Sequence, residues 1–390
     1  MSGISIADKM NFPEIPVGES RHGPVSATPR NRNTSPAQVA MDTFIQSFME
    51  GLGWPLLLIV FAVSIAVLGY SADTLVDLAV RLSERTGLPR VVIGATIVSL
   101  GTTMPEAAVS VYAAVMGEPD LALGNAVGSI ICDTGMILGL ACILMPLPID
   151  RRIVNRQGWI QVGAGLLLVA CCIPWANPAS MFASGEGGGG VLPQHLGWIF
   201  VGLLIVYMVW SIKGARDVGV TPADEEADEE AKPAMRGWLI ILFIFTSCVF
   251  LVGSSMILIG ATKECATRLG IPEGIIAATV VAFGTSLPEL VTAMAAVRKR
   301  KGEIAIGNVI GADILNVLFV AGASASVTRD GLAAGAYFFR LQFPVMLLVL
   351  GVFRFGIATA RDGKLSRYIG FLLLGIYLLY LILNVTVDKS

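Results

Sequence analysis

Two stretches of this chain match each other without a gap. One begins at Gly94 and reads GATIVSLGTTMPE; the other begins at Ala277 and reads AATVVAFGTSLPE. Thr102 and Thr285, Glu106 and Glu289, Asn125 and Asn308, and Gly139 and Gly322 are all separated by the same 183 positions. The offset also carries Gly87-Leu88-Pro89 onto Gly270-Ile271-Pro272. Register held this long marks an internal duplication, so the fold must contain two copies of one unit.

The solvent of those copies follows from composition. Hydrophobic residues make up 55% of the 390 and charged residues 14%, with a mean hydropathy of +0.74; soluble domains carry about 25% charged residues. A membrane-spanning helix needs about 20 apolar residues. Ten segments qualify: Leu52–Leu82, Val91–Met116, Leu121–Met145, Trp159–Pro174, Leu192–Ile212, Trp238–Ala261, Pro272–Val297, Ile304–Val327, Ala333–Phe355 and Tyr368–Val385. Equivalent points of the two copies lie five spans apart and so enter the bilayer from opposite sides. The expected fold is an all-α polytopic membrane protein of ten transmembrane helices, arranged as two inverted five-helix repeats. Folds of that kind hold their substrate near the midplane, where discontinuous helices meet. The chain divides into a disordered tail (1–50) with a short amphipathic turn near its end, a first repeat (51–213), an acidic linker (214–236) and a second repeat (237–390).

Loop charge orients the spans. The connectors after the first, third, fifth, seventh and ninth hold eighteen Lys and Arg, including Arg151, Arg152 and Arg156 and the run Arg298–Lys301; the alternate connectors and C-terminal end hold four. The positive-inside rule places the first set in the cytoplasm and both termini outside it. A formal net charge of −2 offers no basic surface for nucleic acid. The six cysteines, all in or beside apolar stretches, read as small buried hydrophobes.

Polar residues inside the repeats carry the chemistry. Ser99, Thr102, Thr103 and Glu106 are spaced to share one helical face, and Ala282, Thr285, Ser286 and Glu289 repeat the pattern. Each Glu follows a proline, Pro105 or Pro288, which has no N–H for the carbonyl four residues back, at Gly101 or Gly284. A helix broken there presents carbonyl oxygens beside hydroxyls and a carboxylate. In the next span Asn125, Ser129 and Asp133 form a second stripe, matched by Asn308, Ala312 and Asn316; Asp313 is offset by one position. This inventory is all oxygen. Calcium takes 6–8 oxygens and accepts bidentate carboxylates, whereas softer metals want His or Cys, and His22 and His195 lie far from the repeats. A carboxylate at mid-bilayer costs at least about 2.5–3.5 kcal/mol, so Glu106 and Glu289 read as function rather than packing. Asp73 and Asp77, near the end of the first span, read as snorkelling or Arg81-paired residues as readily as residues with a transport role.

GTTMPE and GTSLPE, each followed by a GNxxG segment, resemble the two alpha repeats of the sodium/calcium exchanger superfamily. The resemblance implies four short helices around the ions, with the first and sixth spans sliding across them. It implies that Glu106 and Glu289 are the paired calcium carboxylates and that Thr102, Thr103, Thr285 and Ser286 serve the sodium and calcium sites. Ser99 and Ala282 match positions that offer backbone carbonyls, and Ser129 a sodium-site hydroxyl. Sodium-coupled prokaryotic members carry Asn at the position of Asp133 and Asp at that of Asn316, so the pair is swapped here, and Ala312 replaces a usual Ser.

The expected function is therefore calcium-for-sodium antiport by alternating access at the cell membrane. Calcium and sodium are the transported ions, the bilayer and small cations are the partners, and no organic cofactor, catalytic residue or obligate protein partner is expected. Proton/calcium or potassium-dependent exchange on the same fold is the alternative; the missing acid at Asn316 argues against potassium. A cation channel or an intramembrane protease-like enzyme fits the inverted hydroxyl stripes less well.

Overall fold

The computed structural model describes residues 45–183, 188–217, 235–270, 284–360 and 363–387. Most of the tail, most of the acidic linker, the first half of the Pro272–Val297 segment and Ala282 lie outside the described residues.

The described chain is almost entirely helical. Its helices are α1 (Trp54–Thr86), α2 (Arg90–Thr102), α3 (Met104–Val115), α4 (Pro119–Leu144), α5 (Arg151–Cys172), α6 (Gln194–Asp217), α7 (Gly237–Arg268), α8 (Leu287–Arg298), α9 (Gly302–Val327), α10 (Phe338–Thr359) and α11 (Arg367–Val387). Among the described residues seven helices are long and apolar enough to cross a membrane, and an eighth span arises if the bent pair α2–α3 is counted as one. Helix α5 falls short because Asn155, Arg156, Gln157 and Gln161 lower the hydropathy of every 18-residue stretch within it. It starts eight residues before the expected Trp159: Asp150 caps it, accepting from the backbone N–H of Arg152 at 2.9 Å and Ile153 at 3.4 Å.

The 183-residue offset persists in the folded chain. It carries the bounds of α3 onto those of α8 and the bounds of α4 onto those of α9. It also relates the π-helical turns inside those long helices, Asp133–Leu138 and Asn316–Ala321. Such turns add a residue to the helical repeat and recur at functional sites.

Burial sorts the helices into a core and a coat. The apolar window of α9 is 94% buried and that of α4 78%, against 28% for α1 and 22% each for α6 and α11. Helices that present apolar side chains outward on one side and to protein on the other are suited to lipid contact. α1 and α7 pack along each other at the periphery. Helix α9 lies directly against α2 because glycine permits it. A Cβ on Gly307 would sit 2.2 Å from the Val91 carbonyl oxygen, and one on Gly311 2.5 Å from that of Ala95. This is the small-residue contact that lets membrane helices approach backbone to backbone.

Two short antiparallel ladders join distant loops. Strand β1 (Leu147–Pro148), just before α5, pairs with β4 (Lys364–Leu365), just before α11. Strand β2 (Gly190–Leu192), beyond the other end of α5, pairs with β3 (Leu332–Ala334). All six cysteines are free. The expected turn near the tail's end is a helical stretch over 45–50, where Met49 packs on Leu57 and Ala261.

Candidate cation site

The break between α2 and α3 sets the site. Pro105 occupies the first turn of α3, and the two helices meet at 48° through Thr103, whose φ and ψ are −84° and −2°. Ser286, 183 residues on, has φ −84° and ψ 8° before Pro288 opens α8. The proline breaks the ladder in both places and leaves a carboxylate in the first turn after the break, Glu106 or Glu289. Gly101 lets α7 approach closely: a Cβ there would lie 2.3 Å from Cys248 Sγ of α7.

Side chains from both copies meet here. Thr103 Oγ1 donates to Glu289 Oε1 at 3.4 Å. Thr102 Oγ1 lies 3.5 Å from Asn308 Oδ1, and its counterpart Thr285 Oγ1 lies 3.4 Å from Asn125 Oδ1. Asn125 Nδ2 donates to the Glu106 carbonyl at 3.3 Å and to Ser110 Oγ at 2.9 Å. The Ser286 hydroxyl bonds the Asp133 carboxylate. Ser99 is buried, and its carbonyl accepts from Thr102 Oγ1 at 3.3 Å and from the Thr103 N–H at 2.9 Å. Ser129 is buried one turn before Asp133.

The electrostatics are one-sided. Glu106, Glu289 and Asp133 are each 1% exposed. Glu106 has Glu289 and Asp133 as charged neighbours, and Asp133 has Glu289 and Asp313. Among the described residues no Lys or Arg pairs with any of them. Glu106 Oε2, Glu289 Oε2, Asp133 Oδ1 and Asn316 Oδ1 are buried without a hydrogen-bond partner. A buried anion without a countercharge is strongly unfavourable, so this arrangement suits a cation. Among the described residues no three His, Cys, Asp or Glu side chains gather closely enough to chelate a metal by themselves. An ion held here must therefore complete its shell with hydroxyl, amide and backbone oxygens, as calcium readily does.

Not every polar residue of the sequence belongs to this cluster. Asp313 lies to one side, where its Oδ2 accepts from Thr134 and from Gln161 Nε2. Asp73 pairs with Arg298 and Asp77 with Lys299 at 2.5 Å, at the end of α8. Neither meets Arg81, which turns to Met235 Sδ at 3.2 Å. The side chains of Asp73 and Asp77 lie one helical turn apart on the face of α1 that meets α8, while Arg81, a turn further on, contacts Met235. Three neighbours escaped the sequence reading: Ser110, Thr134 and Gln161. A glutamine inside an apolar span was itself the available signal, since intramembrane polar groups are rarely idle.

Comparison with known proteins agrees with this architecture. The family model described as "Sodium/calcium exchanger protein" matches residues 56–213 and 239–386, one match in each half. Inner membrane protein YrbG of Escherichia coli is 32% identical over 323 residues, covering 82% of this chain and 94% of that one. Sodium/calcium exchanger MaX1 of Methanosarcina acetivorans is 27% identical over 330 residues, covering 80% and 93%. Among solved structures, the sodium-calcium exchanger NCX_Mj superposes with a TM-score of 0.67 at 24% identity, covering 84% of this chain and 98% of that one, a likeness of fold. With its duplicated carboxylate-bearing breaks and a family match in each half, this chain belongs to the sodium/calcium exchanger protein family.

Proposed function

We propose that the chain is a calcium/sodium antiporter in which Glu106 and Glu289 share the calcium ion. The observation that carries this is the pair of unpartnered, buried carboxylate oxygens, one from each copy, bracketed by Thr102, Thr103, Thr285 and Ser286. The other proposed ligands are Asp133, Asn125, Asn308, Asn316, Ser129 and the backbone oxygens at Ser99 and Ala282. One calcium or several sodium ions neutralise the same carboxylates. A neutralised cage can turn across the low-dielectric barrier and an empty anionic one cannot, so exchange is obligatory.

The ten-span, two-fold inverted arrangement belongs to the same proposal. It is supported by the constant offset of α3, α4 and their breaks onto α8 and α9. The domain divisions at 50, 213 and 236, extracytoplasmic termini, a single-chain transporter and the cell's inner membrane complete the reading. Loop charge and the inner-membrane relative support the last.

The test is radioactive calcium uptake into proteoliposomes against separately imposed sodium, potassium and proton gradients. Uptake driven by outward sodium alone is expected. Uptake that needs only a pH gradient replaces sodium by protons in this scheme, and uptake that needs no counter-ion makes the protein a channel.

A further inference from the structure

Beside the proposed cage is a second buried polar pocket whose components come partly from a helix outside the duplicated motifs. Its centre is Asp313 on α9, 2% exposed. Both donors that reach this carboxylate fall on the same oxygen: Oδ2 accepts from Thr134 Oγ1 of α4 and from Gln161 Nε2 of α5, the latter at 2.5 Å. Gln161 Nε2 also lies 3.3 Å from Thr134 Oγ1, which closes a three-membered ring of contacts. The other carboxylate oxygen, Oδ1, is buried without a partner.

Three more unpartnered oxygens surround it. Gln161 is 2% exposed, and its amide oxygen has no partner. That oxygen shares a planar group with the nitrogen on Asp313, so it is fixed within a few ångströms of the carboxylate. Asp133 precedes Thr134 in sequence, is a charged neighbour of Asp313 and keeps Oδ1 unpartnered. Asn316 follows Asp313 by one turn of α9 and keeps Oδ1 unpartnered. Thr134 and Gln161 thus place neutral donors on one oxygen of the Asp313 carboxylate, while its other oxygen and the Gln161 amide oxygen are bare.

From this geometry we infer that Asp313, Gln161 and Thr134 form a second cation subsite that takes a monovalent alkali ion. It deepens the antiporter reading and rests on it. All the open atoms are oxygens, which select hard cations. One carboxylate belongs to the pocket outright, and the neighbouring Asp133 is shared with the cage. A single formal charge is balanced by a monovalent ion, whereas calcium favours several carboxylates at once. An uncompensated carboxylate away from water is otherwise strongly disfavoured. Because Asp133 faces both groups, filling the pocket lowers the negative potential at the cage, so the monovalent ion and calcium oppose each other through that residue.

The test counts ions bound to the purified full chain in calcium-free buffer, using radioactive sodium in one arm and rubidium as the potassium probe in the other. Wild type is expected to bind one more monovalent ion per chain than Asp313→Asn, and the arm that loses the ion identifies it. Gln161→Met is expected to weaken the same ion about tenfold, the worth of one charge-assisted contact, and decides the matter if the Asp313 variant does not fold. An unchanged count of monovalent ions in both variants overturns the subsite, leaving Asp313 a carboxyl that merely carries a proton. Absence of calcium binding by the wild type instead overturns the antiporter reading, independently of the sodium count.

Discussion

Thr103, at the bend between α2 and α3, places its hydroxyl 3.4 Å from Oε1 of Glu289, 186 residues away on α8. A group from one copy thereby tethers the carboxylate of the other, and the second oxygen of Glu289 is left open. Glu106 likewise keeps one oxygen open, so each copy offers a bare carboxylate oxygen to an ion.

Glu106→Gln or Glu289→Gln is expected to weaken calcium binding about 30- to 4000-fold. Loss of one charged partner from a desolvated charge contact costs about 2–5 kcal/mol, and each 1.4 kcal/mol is tenfold. Equilibrium calcium binding to the purified protein measures this. Retention of wild-type affinity in the double variant eliminates the cage.

Thr103→Val should have a smaller effect, about tenfold, because a single hydrogen bond to a charged group contributes about 1.5–3 kcal/mol and Glu289 itself remains. The comparison with Thr103→Ser, which restores the hydroxyl, separates orientation from packing. Both are read as initial rates of calcium uptake.

Asp133→Asn is expected to reduce calcium transport, and Asp133→Asn/Asn316→Asp to recover most of it. The 183-residue correspondence puts these two positions at the start of equivalent π-helical turns, so the double exchange moves one charge to the matching place in the other copy. Transport rates of the single and double variants decide; a double variant no better than the single denies the equivalence.

Gly311→Ala should destabilise by about 1–3 kcal/mol, the usual range for overpacking. The new Cβ would meet backbone and side-chain oxygens of α2, Ala95 O and Ser99 Oγ, both at 2.5 Å. Gly202→Ala on α6, where no atom lies within 4 Å, is expected to be neutral or slightly stabilising. Thermal unfolding in detergent compares them.

The ion pairs Asp73–Arg298 and Asp77–Lys299 link peripheral α1 to the end of α8. Exposed pairs of this kind are worth about 0.2–1 kcal/mol each. Asp73→Asn/Asp77→Asn should therefore leave calcium uptake within about threefold while increasing the labelling rate of a cysteine placed beneath α1. A loss of uptake as large as that of Glu289→Gln would make these acids part of the ion path.

Much of this was readable from residue order alone. Duplication indicated which breaks and helices correspond, and the hydroxyl–carboxylate spacing singled out Glu106, Glu289 and their Thr and Ser neighbours, which lie buried at the two breaks. Contacts set by tertiary packing were not readable. Asp73 lies 225 residues from Arg298 in sequence, so the nearer Arg81 was the natural partner to expect. Gln161 comes to Asp313 only because α5 packs on α9. Helix α5 hid its start because hydropathy discards the arginines that Asp150 caps, although the cap residue itself was in plain view.

Strands β1 and β4 tie one half of the sequence to the other at one end of α5, and β2 and β3 do so at its opposite end. A bundle sewn at a single end could swing open like a book; one sewn at both ends has no spine left about which to turn. Neither α1 nor α7 is adjacent in sequence to any of the four strands. In the proposed antiport cycle, uncovering the buried carboxylates first to one compartment and then to the other falls to that peripheral pair, in line with the sliding that the family resemblance implies for the first and sixth spans.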